Sequence, residues 1–427
     1  MEHQNTMLKR ALHIVLALLL LLPWMSAWPA LADEPPALCP AGTTQYSGTQ
    51  SSGAPYMICV PEPWNGDVLV YAHGYVSPYE PLGIPEDQLQ IPDGPSLPEM
   101  VTGLGYAFAA SGFSTNGLAA QEGLADSVEL VGIFETLVGT PRYVYLGGPS
   151  QGGLITALGI ERESGVFDGG LSACGPIGDF GRQINYWGDV RVLFDYFFPG
   201  VLPAWTPKNP MIDEAEVVEN WETYQGAIRV GLQNNPGRTL QLLRTANVPM
   251  SIHDTLQTGI EDLIHLLWYH VHATNDGMAK LGGQPFDNQD RWYSGSLNDL
   301  RLNRSVARFT ADQVAVDTIG AYYQTSGQLS VPLVTLHTLS DPIVPYWHDS
   351  LYGIKTLESG STDLHTNLPA VRHGHCAFSA SEALLSFAWL TYQVSGEVPT
   401  NSEQVLTSEA TRVRFRELAR QRGLPLR

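Results

Sequence analysis

Two hydrophobic periods run along the chain. Short apolar runs at residues 56–60, 67–72, 106–110, 143–146 and 171–174 have the length and composition of buried strands. Between them, residues 119–138 repeat apolar positions at Leu124, Val128, Val131, Ile133 and Leu137, which predicts a helix, and a second helix is expected over 151–163. Strands alternating with helices imply a mainly parallel sheet. A segment from 77 to 98 carries Pro78, Pro81, Pro85, Pro92 and Pro95 and reads as a loop without regular helix. After Cys174 the alternation stops. Residues 176–330 are mostly helical in pattern, with candidates at 212–231, 254–272 and 311–324, too long a block for one crossover. The block reads as a helical cap inserted between two parts of one α/β core, residues 33–175 and 331–427. The strand pattern resumes at 331–337. A helix near 345–355, a strand near 369–372 and a helix over 380–392 follow. Residues 412–427, with six arginines and one glutamate, read as a solvated surface helix.

Composition narrows the function classes. Of 427 residues, 44% are hydrophobic and 10% aromatic, which excludes a disordered chain. A formal charge of −20 repels phosphate backbones and anionic lipid, so neither nucleic acid nor a membrane surface is an expected partner. Lys9 and Arg10, an apolar run over 11–22 and Ala30-Leu31-Ala32 form the three parts of a signal peptide, residues 1–32, cleaved before Asp33. That run is shorter than the about 20 residues of a spanning helix. The expected product is secreted or periplasmic, with no membrane anchor after cleavage. Export permits disulfides, and the cysteines number four: Cys39, Cys59, Cys174 and Cys376. Three pairings are open, with a local Cys39–Cys59 staple favoured.

Gly148-Pro149-Ser150-Gln151-Gly152 matches G-x-S-x-G directly after a predicted strand and before a predicted helix. The tight strand-to-helix turn demands small residues two before and two after the serine, and Gly148 and Gly152 meet that demand. Ser150 is then the candidate nucleophile, lifted over a helix N-terminus. A serine hydroxyl needs a base. The chain order Ser, acid, His points to His375 in Arg372-His373-Gly374-His375-Cys376, with His373 the alternative. Asp341, just after the 331–337 strand, is the candidate acid, with a helix N-cap as its other reading. The stretch between Asp341 and His375 has room for one helix and one strand. An oxyanion needs two backbone N–H groups. These are expected from Gln151 and from Tyr75 in His73-Gly74-Tyr75, where Gly74 permits the turn.

These stretches, in this order, resemble the α/β-hydrolase superfamily, and secreted bacterial esterase-like members in particular. The resemblance implies an α/β-hydrolase fold: a mostly parallel eight-stranded sheet, helices on both faces, a cap after the sixth strand and a Ser150–Asp341–His375 triad. His375-Cys376 is also similar to feruloyl esterase and tannase-type enzymes, in which a cysteine follows the catalytic histidine. That family has a second cysteine just before its serine. Here the position is Pro149, and the pairing the resemblance implies is Cys174–Cys376.

Seven aromatic residues lie in 184–205, and Tyr186, Trp187 and Phe194 among them are candidate pocket walls. His270 and His272, two apart on a predicted helix, point in different directions and make a poor metal site. Residues 287–290 lack the calcium-loop pattern. No phosphate loop or dinucleotide fingerprint occurs, so neither metal nor cofactor is expected. The expected activity is hydrolysis of a small-molecule carboxylic ester. A serine peptidase on the same fold is the alternative, with Glu214, Glu216 or Asp262 as anchors for a charged terminus. Oligomeric state is not legible.

Overall fold

A computed structural model describes residues 38–92 and 94–425. The proposed signal peptide lies outside the described residues. An eight-stranded sheet forms in the order β1-β2-β4-β3-β5-β6-β7-β8. Its strands are β1 (Thr43–Thr49), β2 (Pro55–Pro61), β3 (Val68–Tyr71), β4 (Ala107–Ser111), β5 (Val144–Pro149), β6 (Gly169–Ala173), β7 (Leu333–Ser340) and β8 (His365–His373). Pairings are parallel from β4 through β8, and β2 runs antiparallel to both β1 and β4. β3 is buried at every position, as a strand covered on both faces must be. β8 closes one edge, which is why it tolerates Pro369.

Helices cover both faces. On one lie α2 (Ala120–Leu137) and α3 (Gln151–Arg162), packed with Val144 and Leu146 of β5 in one core. Between those two residues Tyr145 points the other way. It meets Phe387 of α11 (Ala380–Ser395) edge-on, with ring centroids 5.8 Å apart. The 2-residue period of the strand thus sorts the two layers. On that face α12 (Glu409–Arg422) packs on α11, and α1 (Leu97–Gly103) packs on β2 and β4. α1 begins at the end of the proline-rich loop read as helix-free. Its signal was local: Ser96 and Glu99 form a reciprocal capping box, and Pro98 sits in the first turn, where no N–H is needed.

Between β6 and β7 the chain builds a helical block: α4 (Phe180–Phe197), α5 (Trp221–Asn234), α6 (Pro236–Thr245), α7 (Leu256–Leu281), α8 (Asp299–Ser305) and α9 (Gln313–Thr318); α10 (Trp347–Ser359) follows between β7 and β8. The 212–231 candidate is split into a π-turn at Glu214–Val218 and α5, and the 311–324 candidate into α9 and a π-turn at Ile319–Tyr323. The block has its own core, in which Phe194, Trp205, Leu263, Leu267 and Phe309 are buried together. α7 runs nine residues past its expected end to Gly282, whose left-handed φ of 78° stops it. It carries two stripes. Ile260, Leu263, Ile264, Leu267 and Val271 enter the block core, while Thr258, Asp262, His265 and Tyr269 line open cavities.

Two disulfides are present, Cys39–Cys59 and Cys174–Cys376, the pairings expected above. The first pins the segment before β1 to β2, closing 20 residues; the second closes 202. Because the entropy removed from the unfolded chain grows with the logarithm of loop length, the second should stabilise by about 2 kcal/mol more. Cys174→Ser/Cys376→Ser is therefore expected to unfold at lower urea than Cys39→Ser/Cys59→Ser. Equal midpoints would contradict this.

Candidate active site

Ser150 sits in the turn between β5 and α3 at φ 55°, ψ −120°. A non-glycine residue is strained there. The turn is held because Ser150 N–H donates to the Ala173 carbonyl at 2.8 Å, and because Gly148 and Gly152 close on one strand end. A Cβ on either glycine would fall 1.9 Å from the Ala72 carbonyl oxygen. Any side chain at these two positions would push the elbow off β3, so the motif's glycines are steric requirements.

His375 reaches this serine from the loop after β8. Its Nε2 lies 2.9 Å from Ser150 Oγ, and its Nδ1 lies 2.8 Å from Asp341 Oδ2. Nδ1 donates to the carboxylate, which leaves Nε2 to accept the hydroxyl proton. The His loop is braced on both sides. Thr338 Oγ1 donates to the Gly374 carbonyl at 2.6 Å, and the Gly374 amide donates to the Ser340 carbonyl at 3.1 Å. Cys376 is bonded to Cys174, the residue after β6, so the disulfide ties the His loop to the sheet beside Ser150. Ser379 and Glu382 then form a capping box that fixes where α11 begins.

Asp341 is fully buried. Burial alone would raise its carboxyl. His375 and His337 outweigh this and hold it at about 2, so it is a carboxylate at any working pH. Its Oδ1 accepts the amides of Ile343 and Val344 at 2.9 and 3.0 Å. Those bonds aim Oδ2 at His375, so N-cap-like contacts and a hydrogen bond to the candidate base coexist in one side chain. His373 points away from the serine: Nδ1 lies 2.9 Å from Asp254 and Nε2 3.2 Å from Asp262.

The Gln151 amide heads α3, and the Tyr75 amide lies in the loop after β3. Neither donates to another group among the described residues. Gly74 lies 3.5 Å, measured from where its Cβ would be, from Ser150 Cβ, so the loop passes close over the nucleophile. Sequence reasoning missed Gln88. It lies in a short 3-10 turn, Glu86–Leu89, within the proline-rich loop. Its side-chain oxygen accepts from the Gly74 amide at 2.7 Å and its nitrogen donates to the Tyr75 carbonyl at 3.2 Å. One amide side chain thus grips the peptides on either side of the one carrying the Tyr75 N–H. Gln88→Leu is expected to lower kcat on the order of 10- to 100-fold with little change in KM, less than outright loss of an oxyanion donor. An unchanged kcat would show that the loop holds itself. The Gln151 side chain braces a second loop, accepting from Ala119 N–H and donating to the Gly117 carbonyl, each at 3.1 Å.

Two cavities meet at His375 and Tyr269. One, about 330 Å³, contains Ser150 and is lined by apolar residues including Tyr71, Ile91, Leu97 and Phe378. The other, about 720 Å³, opens on the far side of His375 against α7. The aromatic residues expected as pocket walls lie elsewhere. Phe194 is fully buried in the block core, stacked on Phe198 at 5.4 Å. Tyr186 is buried, its hydroxyl donating to the Pro342 carbonyl at 2.7 Å. Trp187 stacks on Tyr269 at 5.3 Å and lines a separate small cavity within the block. Tyr186 and Trp187 tie α4 to the Asp341 loop through the Pro342 and Ile343 carbonyls, and Tyr269 takes the wall position at the serine. The Tyr75 ring leans on α7, 5.7 Å from Tyr269 and 6.1 Å from Trp268.

His270 and His272 of α7 diverge. His270 is fully enclosed, 4.4 Å from the Trp205 ring, and His272 Nδ1 faces the Trp268 carbonyl at 3.0 Å. Cys174, Cys376 and His375 do cluster, but both sulfurs are joined to each other. Glu214 accepts from Asn275 and Glu216 from Tyr224, away from the serine, whereas Asp262 lines the larger cavity.

Sheet order, a serine at a strained strand-to-helix turn, and an acid after β7 followed by a histidine after β8 now stand together. The fold is that of the α/β-hydrolases. No family model matches the chain, and no curated protein matches it. Among solved structures it is similar to feruloyl esterase B from Aspergillus oryzae, at 14% identity over 84% of this chain and 81% of that one, with a TM-score of 0.43. An esterase from Pyrococcus furiosus shares 10% identity over 89% and 91%, with a TM-score of 0.40. An acylaminoacyl peptidase from Pyrococcus horikoshii shares 11% over 85% of this chain, TM-score 0.43. The chain spans 43% of that peptidase's length. The functional reading therefore rests on the geometry of the site.

Proposed function

We propose that the chain is a secreted or periplasmic serine hydrolase that cleaves carboxylic esters of small molecules through an acyl-enzyme. The observation that carries this reading is the continuous relay from Asp341 through His375 to Ser150 Oγ, with spacings of 2.8 and 2.9 Å. Ser150 Oγ attacks the ester carbonyl carbon while its proton passes to His375 Nε2. The carbonyl oxygen, now negative, is held by the Tyr75 and Gln151 amides. Collapse expels the alcohol, which takes the proton from His375. Water repeats the cycle against the acyl-serine, and the acid leaves with Ser150 restored. Asp341 stays ionised throughout and stabilises the imidazolium.

Residues 176–330 act, in this reading, as a cap over the site. The two disulfides support an oxidising compartment. No described helix is long and apolar enough to cross a membrane.

The test is a fluorophosphonate, which phosphorylates an activated serine, followed by peptide mass mapping. Labelling at Ser150, together with turnover of p-nitrophenyl esters of rising acyl length and of a feruloyl ester, is expected. No labelling would overturn the mechanism. Aminoacyl p-nitroanilides turned over faster than esters would move the activity to a peptidase.

A further inference from the structure

The 720 Å³ cavity beyond His375 has a wall unlike that of the cavity at Ser150. It is lined by carboxylates and rings of α7, namely Glu261, Asp262, His265, Trp268 and Tyr269, and among the described residues no lysine or arginine lines it. Glu261 is already paired with Arg229. Asp262 is different. Its side chain is only 7% exposed, Oδ1 lies 3.2 Å from His373, and Oδ2 has no hydrogen-bond partner among the described residues. His373 is shared with Asp254, 2.9 Å away on its other face. Two carboxylates face one imidazole, so even a protonated His373 leaves one negative charge uncompensated. A buried, half-partnered carboxylate is costly unless something positive completes it. The rings beside it offer faces on which a cation is favourable.

Position says which part of a substrate would supply that charge. His375 Nε2 must reach the oxygen of the departing alcohol, and His375 itself forms part of the wall of this cavity. His375 lines the apolar cavity too, so with the acyl chain in that cavity at Ser150 the other is left for the leaving group, which exits toward Asp262. Resting on the esterase reading above, we propose that the alcohol half of the substrate is cationic, an amino-alcohol or quaternary-ammonium alcohol whose charge sits between Asp262 and the Trp268 and Tyr269 rings.

The groups facing Asp262 are His373 at the end of β8, Asp254 before α7, Asp341 after β7 and Tyr186 on α4. Burial pushes the Asp262 carboxyl up to about 6, with His373 opposing that rise and Asp254 and Asp341 adding to it. The preference for a cation should therefore fade as pH falls through about 6.

The experiment uses the disulfide-bonded chain and two esters with the same acyl group and nearly the same shape: butyrylcholine and 3,3-dimethylbutyl butyrate. We expect kcat/KM at pH 8 to favour the cationic ester at least 10-fold, and Asp262→Asn to bring the ratio within about 3-fold of unity. A ratio at or below one in the native chain, or one that Asp262→Asn leaves unchanged, overturns the proposal while the esterase reading stands. Should neither ester be turned over, binding decides. Calorimetry on Ser150→Ala, which needs no chemistry, is expected to show tetramethylammonium binding that tert-butanol lacks, and absence of that binding overturns the cation site separately from the mechanism.

Discussion

Ser150→Ala is expected to lower kcat for ester hydrolysis on the order of 10⁵- to 10⁶-fold while leaving the fold intact. The size follows from what the side chain does. Ser150 Oγ is the atom on which the relay converges, and without it His375 has no hydroxyl proton to take and Asp341 no imidazolium to stabilise. Members of such a relay act as a unit, so losing the nucleophile costs nearly as much as losing all three. What survives is the field of the Tyr75 and Gln151 amides acting on a bound ester, a residue of catalysis over water. Stability should change by less than about 1 kcal/mol, because the strain at φ 55° belongs to the backbone and alanine keeps the same Cβ. Asp341→Asn separates the roles further. Its amide would keep the Ile343 and Val344 bonds through Oδ1 but present the wrong partner to Nδ1, and a loss of about 10⁴-fold is expected. Burst kinetics with p-nitrophenyl butyrate measures both. Ester turnover in Ser150→Ala within 10-fold of the native chain would refute the nucleophile.

The site was legible in the sequence wherever a local rule made it so. The elbow announces itself because Gly148 and Gly152 must both clear one carbonyl, at Ala72, and that constraint is written within five residues. Asp341 and His375 follow from chain order along a sheet whose strands have a recognisable period. Gln88 carries no such mark. It acts on Gly74 and Tyr75 from across a proline-rich loop, and nothing local distinguishes its amide from any exposed glutamine. The pocket walls failed for a related reason. Aromatic content in α4 says that large rings are buried there without saying on which side, and Phe194 and Tyr186 turn into the block core and the Asp341 loop. Tyr269, on the cavity-facing stripe of α7, holds the position instead. The carboxylate at Asp262 was visible as a charge, but its orphaned oxygen is a property of the packing of α7 against β8.

His337→Gln is expected to remove a pH-dependent part of the stability that no other group supplies. His337 ends the apolar run of β7 and was read only as part of that strand. It is buried beneath the relay, its side chain 1% exposed. Nδ1 bonds the Asp349 carboxylate, while Nε2 lies 2.7 Å from the Val344 carbonyl and 3.4 Å from Asp341 Oδ2. A carboxylate and a carbonyl oxygen can only accept, so both ring nitrogens carry protons and the ring is an imidazolium. Burial opposes that charge. Asp349 and Asp341 outweigh it and push the group up to about 10 from an ordinary 6.5. With the folded value above the unfolded one, the stabilisation is complete below about pH 6.5 and is lost as pH rises through about 10. The shift of about 3.5 at about 1.4 kcal/mol each sets its ceiling on the order of 5 kcal/mol. Histidines that burial pushes down finish changing charge, even in the unfolded chain, by about pH 8. Tyrosines ionise only near pH 10 even when unfolded, and the cysteines are bonded, which leaves the window from about pH 8 to 9.5 to His337. Urea unfolding of the native chain should therefore show stability falling across that window, whereas His337→Gln should be less stable at pH 6.5 and nearly flat across the window. Parallel curves would refute the buried imidazolium. If the variant does not fold, ¹⁵N spectra of histidine-labelled native chain at pH 8.5 decide the matter. At least one ring with two protonated nitrogens is expected, and only neutral rings would mean that Asp341 is held without a charge behind it.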